Sequence, residues 1–366
     1  MQKACSASVR GGFMADIKDV AKLAEVSIST VSNVMTGKKT VSPALEQRVL
    51  KAVEELGYHA SPIAQGMRNS RTNTIGVVIS SFQRVFFGQV LKGIQDTVSQ
   101  AGCVMNVLDS GGNLETEKRC VKYLVDTKAD GIIMESLAYD SDPQQERYVK
   151  SLSALGNSRK RIPMVLLEHK ISTANVDTIM VDNRLSARMA VEHLIGCGRK
   201  EIAHIVGPDY VSVSRMRFLG YQDALEKHHI PFSEKLVVKG DFLPLSGYQA
   251  MRRLFQTKEK ISAVFAANDQ MAVGAVKAIQ EAGKSIPNDI AVVGFDNIFP
   301  STLVSPPLTT VRVPNYDMGV AAAKRLLQRI EGNVTGGGET LLLDTELIVR
   351  RSTSLEGDDN WDLGSW

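Results

Sequence analysis

The chain has 366 residues, too many for one compact core, with 43% hydrophobic and 23% charged residues and a net charge of only +3. That composition is ordinary for a soluble globular protein, and no apolar run approaches the ~20 residues a membrane-spanning helix needs. The four cysteines, Cys5, Cys103, Cys120 and Cys197, form no C-x-x-C pair and have no histidine cluster beside them. This argues for thiols in a reducing cytosol rather than a metal site or disulfide framework, so neither metal nor cofactor is expected.

Residues 1–13 carry Lys3 and Arg10 without an apolar stretch. They read as a flexible leader, or as sequence upstream of a start at Met14, and not as a secretory signal. From Met14 to Arg71 eight Lys/Arg stand against six Asp/Glu, a basic excess too small to establish nucleic-acid binding. The helical pattern there says more. Asp16 caps a short helix through Ala24, with Val20, Leu23 and Ala24 on one face. Glu25-Val26-Ser27 forms a turn, and Ser27 caps a second helix from Ile28 to Met35 with Val31 and Val34 inward. Gly37 permits a reversal. Ser42 as cap and Pro43 at the first position open a third helix that Gly57 ends.

A helix, a tight turn and a second helix rich in Ser and Thr is the helix-turn-helix pattern. Set in the major groove, the second helix brings Ile28, Ser29, Thr30 and Asn33 to base edges, while Ser32, Lys38, Lys39 and Thr40 suit phosphates. The same spacing also fits an ordinary three-helix bundle. The wording from Ile17 to Ser32 (Ile-Lys-Asp-Val-Ala-Lys-Leu-Ala-x-Val-Ser-x-Ser-Thr-Val-Ser) closely resembles the head of the LacI/GalR regulators, as does Val41-Ser42 through Leu56-Gly57-Tyr58.

The resemblance implies that residues 61–73 form a hinge that orders on DNA, with Met67 as the apolar minor-groove wedge and Arg68 beside it. This sequence departs from the family pattern there. Ala60 stands where a proline is usual, and Ala64-Gln65-Gly66-Met67 replaces Ala-Arg-Ser-Leu. Gly66 costs a helix ~1 kcal/mol relative to Ala, so the hinge is expected to order less readily.

From Thr74 onward strands and helices alternate. Ile75–Ile79, Val104–Leu108, Gly131–Met134 and Pro163–Leu167 read as buried strands, and a second series begins at Thr178–Val181 and continues with Ile202–Val206, Ala263–Ala266 and Ala291–Gly294. Helices near Gln89–Ala101, Glu115–Thr127, Asp142–Ala154, Leu185–Cys197, Arg217–His229, Gly247–Phe255 and Gln270–Ala282 separate them. The fold class is therefore α/β: an all-α helix-turn-helix head (14–60) on a two-lobed body of parallel sheets (74–352), similar to periplasmic binding proteins, with a tail over 353–366. The segments Val181-Asp182-Asn183, Asn268-Asp269-Gln270-Met271-Ala272, Val292-Val293-Gly294-Phe295-Asp296-Asn297 and Pro307-Leu308-Thr309-Thr310-Val311 extend the family resemblance through most of the body.

Ligands in such sheets sit beyond the carboxyl ends of the strands. Arg217, Asn268 and Asp296 stand there and match the family's effector contacts. Phe242, Phe86 and Phe87 match its aromatic positions, and Glu168 stands where many relatives carry Asp. An arginine fork and carboxylates divide a sugar's hydroxyls well. Each also has a plainer role: Asp296 a helix cap, Arg217 an ion pair between lobes, the phenylalanines core.

The resemblance implies a cytoplasmic homodimer on a palindromic double-stranded DNA operator, its affinity switched by a sugar-like effector. The absence of leucine heptads after Arg351 predicts no coiled-coil tetramer. A purine effector, and a catabolite-control-type regulator whose corepressor is a phosphorylated carrier protein, remain open. A periplasmic binding protein would need a signal peptide and no head. An enzyme is not expected, since no H-E-x-x-H, G-x-S-x-G or P-loop motif is present.

Overall fold

The computed structural model describes residues 15–36, 39–58, 71–138, 145–154, 156–157, 160–171 and 175–358. Lys38, Met67 and Arg68 of the expected DNA-contacting set lie outside these residues. The chain divides into two compact units, Met1–Thr72 and Asn73–Trp366.

The first unit packs the helices Ile17–Leu23, Ile28–Thr36 and Pro43–Leu56 around Val20, Ala21, Ala24, Val31, Val49 and Ala52. Asp16 Oδ1 accepts from the backbone N–H of Lys18 and Asp19 at 2.7 and 3.0 Å, and Asp19 Oδ2 accepts from Asp16 N–H at 2.9 Å. Asp19 thus completes a capping box. Two expectations fail here. Leu23 is exposed, because the small Ala21 and Ala24 occupy the seam where the first two helices approach. Ser42 makes no side-chain cap; Pro43 alone marks the start of its helix.

The second unit carries two six-stranded sheets. In the first, β1 (Thr74–Ile79), β2 (Val104–Asp109), β3 (Gly131–Met134), β6 (Met164–Leu167), β7 (Asp177–Val181) and β13 (Thr340–Leu343) run in the order β13-β7-β6-β3-β1-β2, all parallel. In the second, β8 (Ile202–Val206), β9 (Val237–Lys239), β10 (Ala263–Ala266), β11 (Ala291–Asp296), β12 (Thr309–Arg312) and β14 (Glu346–Ile348) run β14-β12-β11-β10-β8-β9, with β14 alone antiparallel. A short β4–β5 hairpin (Gly156–Asn157 and Lys160–Arg161) stands apart. The apolar runs of β1, β3 and β10, and β8 with His204 buried at its centre, bury both faces, as parallel strands do when helices cover them.

The lobe assignment of one strand is corrected. Asp177–Val181 does not open the second lobe; it pairs with β6 and β13 in the first sheet. The chain returns to the first lobe in the helix Asn315–Glu331, which packs on the helix Phe86–Gln100. Gly93 and Gly319 make that packing possible: a Cβ at either position would lie within 2.2 Å of a backbone carbonyl oxygen on the opposite helix. The chain crosses between lobes three times, near residues 182, 313 and 344, and Ser186 Oγ to Thr345 Oγ1 at 2.7 Å ties the first crossing to the third. Thr353, assigned to the tail, is buried against Thr309 in the second lobe. No helix among the described residues is long and apolar enough to cross a membrane.

Candidate functional site

In the head, Ser27 Oγ accepts from Thr30 N–H at 3.1 Å, capping the second helix as its position predicts. Helical spacing puts Ile28, Ser29, Ser32 and Asn33 on the face opposite Val31 and Val34, with Thr30 at its edge. Ile28 and Ser29 are exposed, and Thr30, Ser32 and Asn33 half-buried. The turn is fixed by Val26 N–H to Ala21 C=O at 3.0 Å, and Arg48 of the third helix donates to the Ala24 carbonyl.

In the body, strand ends of both lobes converge on a buried ionic cluster. Arg217, on the helix Ser212–Lys227, is wholly buried. Its Nε donates to Asn183 Oδ1 at 2.8 Å and its Nη1 to the Ala267 carbonyl at 2.6 Å. Nη1 lies 3.2 Å from Asp296 Oδ1 and Nη2 lies 3.8 Å from Glu168 Oε2. The guanidinium carbon stands 3.7 Å above the centre of the Phe295 ring, a close cation–π contact. Glu168 follows β6 in the first lobe, at φ 64°, and Asp296 ends β11 in the second, at φ 107°. Both adopt left-handed backbone that non-glycine residues rarely take, which marks these two strand ends as constrained.

Arg84 and Glu135 extend the cluster. Arg84 Nη1 donates to Glu135 Oε1 at 2.7 Å and to Ser80 Oγ at 3.1 Å. Its guanidinium stacks 4.9 Å from the centre of Phe242, in the opposite lobe, and 4.8 Å from Phe87. Gln270 also bridges the lobes: it accepts from Val85 N–H at 2.9 Å and donates to the Gln83 carbonyl at 3.0 Å. A cavity of about 430 Å3 opens between the lobes beside the cluster, with Ser80, Arg84, Asp109, Tyr210, Asp241 and Phe242 in its wall; Arg217, Asp296, Glu168, Glu135 and Asn268 lie behind that wall and do not line it.

Burial governs the electrostatics. It pushes the Glu168 carboxyl up to about 7, against the pull of Arg217, and raises Asp296. It also lowers Arg217, whereas on Arg84 the neighbouring acids Glu135 and Asp296 outweigh it and raise the guanidinium. Asp269 lies just behind, well above its ordinary range because it is buried; it accepts from Thr310 Oγ1 at 2.6 Å and Ile298 N–H at 2.9 Å, holding the loop after Asp296.

Arg217, Asp296 and Glu168 thus come together as expected. Phe242 sits at the cavity wall. Asn268 is close by, but its amide is spent within the protein: Oδ1 caps the next helix at Met271 N–H and Nδ2 donates to the Phe242 carbonyl, both at 3.0 Å. Phe86 and Phe87 begin their helix and pack into the first lobe's core beneath Arg84. Neither belongs to the cavity wall. Sequence reasoning missed Arg84 and Glu135, although Glu135 immediately follows β3 and the strand-end rule that selected Glu168 also selects it.

Residues 16–61 match the family described as "Bacterial regulatory proteins, lacI family", and residues 191–353 match "Periplasmic binding protein-like domain". Catabolite control protein A of Priestia megaterium is 32% identical over 338 residues, spanning 92% of this chain and 98% of that protein. The chain belongs to the LacI family of bacterial regulatory proteins. The HTH-type transcriptional repressor PurR of Haemophilus influenzae is likewise 32% identical, over 93% of this chain and 98% of its own. Among solved structures, the Lac repressor dimer bound to operator and the anti-inducer ONPF superposes with a TM-score of 0.80 at 29% identity, over 93% of this chain and 99% of that one. A complex of the regulator CelR with cellobiose gives 0.68 at 32% identity, over 92% and 99%. These relatives are transcriptional regulators, and this chain aligns with them through both its helix-turn-helix head and its two-lobed body.

Proposed function

We propose that the protein is a transcriptional repressor that binds a palindromic operator as a homodimer and whose DNA affinity is switched by a small sugar-like effector held between the lobes of its body. In the head, Ile28, Ser29, Thr30 and Asn33 read base edges and Ser32 anchors phosphate; from sequence alone, Lys38 is assigned to phosphate, and Met67 with Arg68 of the hinge to the minor groove. In the body, Arg217, Asp296 and Glu168 hold the effector, Phe242 packs against it, and Asn268 positions Phe242. Phe86 and Phe87 support it from beneath Arg84. The observation that carries the reading is the cluster at the facing strand ends: ionisable side chains of both lobes, buried together, with both carboxyl oxygens of Glu168 and Nη2 of Arg217 lacking a hydrogen-bond partner. Buried polar groups of that kind are satisfied by a polar ligand, and ligand contacts that differ between open and closed lobes supply the coupling to DNA affinity. The CelR–cellobiose and Lac repressor–operator structures support both halves of the proposal.

The test is a thermal-shift screen of the full chain against sugars, sugar phosphates and purines, followed by operator binding with and without each hit. A ligand at about 100 times its Kd adds roughly 2.7 kcal/mol to stability. The shift and the change in operator affinity are expected to vanish together in Arg217→Ala and Asp296→Ala. A ligand that alters operator affinity equally in both variants would refute the site.

A further inference from the structure

Three consecutive residues of the first lobe are gripped by the second. Gln83 and Val85 are held through their backbones: Gln270 Nε2 donates to the Gln83 carbonyl at 3.0 Å, and Gln270 Oε1 accepts from Val85 N–H at 2.9 Å. Both ends of the buried Gln270 amide are thus used. Between these two residues Arg84 lays its guanidinium over the Phe242 ring, 4.9 Å from the ring centre. In its own lobe Arg84 is anchored by Nη1, which donates to Glu135 and Ser80, and by the Phe87 ring at 4.8 Å. The Phe242 ring is covered. It is 2% exposed, and its tip meets Gly207 so closely that a Cβ there would lie 2.4 Å from Cζ. Phe242 takes left-handed backbone at φ 72°, with Asn268 Nδ2 donating to its carbonyl. Arg84 and Phe242 both line the cavity. A guanidinium over an aromatic ring is held by cation–π attraction, which strengthens when the pair is out of water. The two Gln270 bonds and the Arg84–Phe242 contact all cross between the lobes, and all three are lost if the lobes part.

We propose that Gln83-Arg84-Val85, with Gln270 and Phe242, is a clasp that draws the lobes together by the chain's own contacts, and that Arg84 guards the ring of Phe242. A molecule that stacks on Phe242 from the cavity takes the place of the guanidinium, which stays with Glu135 in the first lobe. Val85 carries the effect further. It is the N-cap of the helix Phe86–Gln100 and makes no side-chain cap, so the second lobe supplies the partner of its N–H. That helix packs on Asn315–Glu331, and opening the clasp frees its start. The clasp stands on these contacts alone; its effect on operator affinity rests on the effector-site reading given above.

The experiment uses full-length protein, dialysed and shown by native mass spectrometry to carry no small molecule. Hydrogen exchange, resolved to single amides by electron-transfer fragmentation, reads Val85 N–H in the wild type, Gln270→Met, Arg84→Met and Phe242→Leu. Val85 is expected to be protected in the wild type, and Gln270→Met, which removes its acceptor, to speed its exchange directly. Arg84→Met and Phe242→Leu alter neither donor nor acceptor of that bond, yet are expected to speed the exchange roughly tenfold with the amides of β1 unchanged. An unprotected Val85 in the wild type overturns the clasp. So does Val85 exchange unaltered in both Arg84→Met and Phe242→Leu, because the Gln270 bonds then stand alone. Should Arg84→Met loosen β1 as well, Phe242→Leu, made in the other lobe, decides. Binding to an operator selected from random DNA, with no small molecule added, is measured on the same proteins. A change of roughly fivefold in the two variants joins the clasp to DNA affinity. Faster Val85 exchange with operator affinity unchanged keeps the clasp and removes the coupling of lobe closure to DNA.

Discussion

Glu168→Gln isolates the buried carboxyl at the centre of the cleft. In the folded protein burial moves that carboxyl from its ordinary 4.5 up to about 7. Between those two values the folded chain holds a proton that the unfolded chain has lost. Stability therefore falls as pH rises through that window and is level on either side of it. At 1.36 kcal/mol per pH unit, the fall attributable to Glu168 is roughly 3 kcal/mol. Glutamine stays neutral, so the variant should match the wild type near pH 5 to within ~1 kcal/mol and exceed it by up to ~3 kcal/mol at pH 8. His204 works in the opposite direction: buried among Phe265 and Tyr221 and lowered to about 4, it loses stability as pH falls below 6.5. That contribution is common to both chains and cancels in their difference. Denaturant unfolding of the two proteins at half-unit intervals from pH 5 to pH 8 measures the divergence. Parallel curves across the whole range would refute the reasoning, because they would mean that Glu168 titrates alike folded and unfolded.

Arg217→Ala leaves Glu168 and Asp296 buried without their cation, and a loss of ~3–5 kcal/mol is expected at pH 8; adding Glu168→Gln should recover part of it, which a double-mutant cycle reads directly. In the head, Asn33→Ala is expected to weaken binding to an operator selected from random DNA by ~1–3 kcal/mol and to relax preference at one base position; equal loss on all sequences would reassign Asn33 to the phosphate backbone. Asp16→Ala removes a capping box and should cost the head ~1 kcal/mol, seen as a lower unfolding midpoint of its own transition. Gly319→Ala would place a Cβ 2.1 Å from the Val90 carbonyl oxygen and should destabilise the first lobe by ~1–3 kcal/mol, measured by urea midpoint.

Much of the architecture was legible because its signals are local. Gly131–Met134, Ile202–Val206 and Ala263–Ala266 have the expected bounds: a parallel strand buried on both faces is a short, mainly apolar run, broken in Ile202–Val206 only by the buried His204. The capped starts of the first two head helices and the glycine end of the third were equally readable, since a cap lies within three residues of what it caps. Asp296 and Glu168 were picked out because strand ends locate clefts in open α/β sheets, and Arg217, which lies within the helix Ser212–Lys227, by its match to the family motif.

What lay beyond the sequence was non-local. Nothing in Asp177–Val181 says which sheet it joins, because pairing partners are chosen by backbone hydrogen bonds to β6 and to β13, over 150 residues away. The helix Asn315–Glu331 returns to the first lobe because Gly93 and Gly319 meet, a fit that neither segment expresses alone. Asn268 was assigned by motif to the ligand, yet its amide is already shared between a helix end and the Phe242 carbonyl. Arg84 and Glu135 became part of the site only when folding set them beside Phe242 and the other buried acids. The sequence thus determined most of the elements, the family and the strand ends that face one another across the cleft. The tertiary structure alone decided the lobe membership and the ionic balance of the cleft, because burial and charge proximity arise only once distant strand ends are brought within a few ångströms of one another.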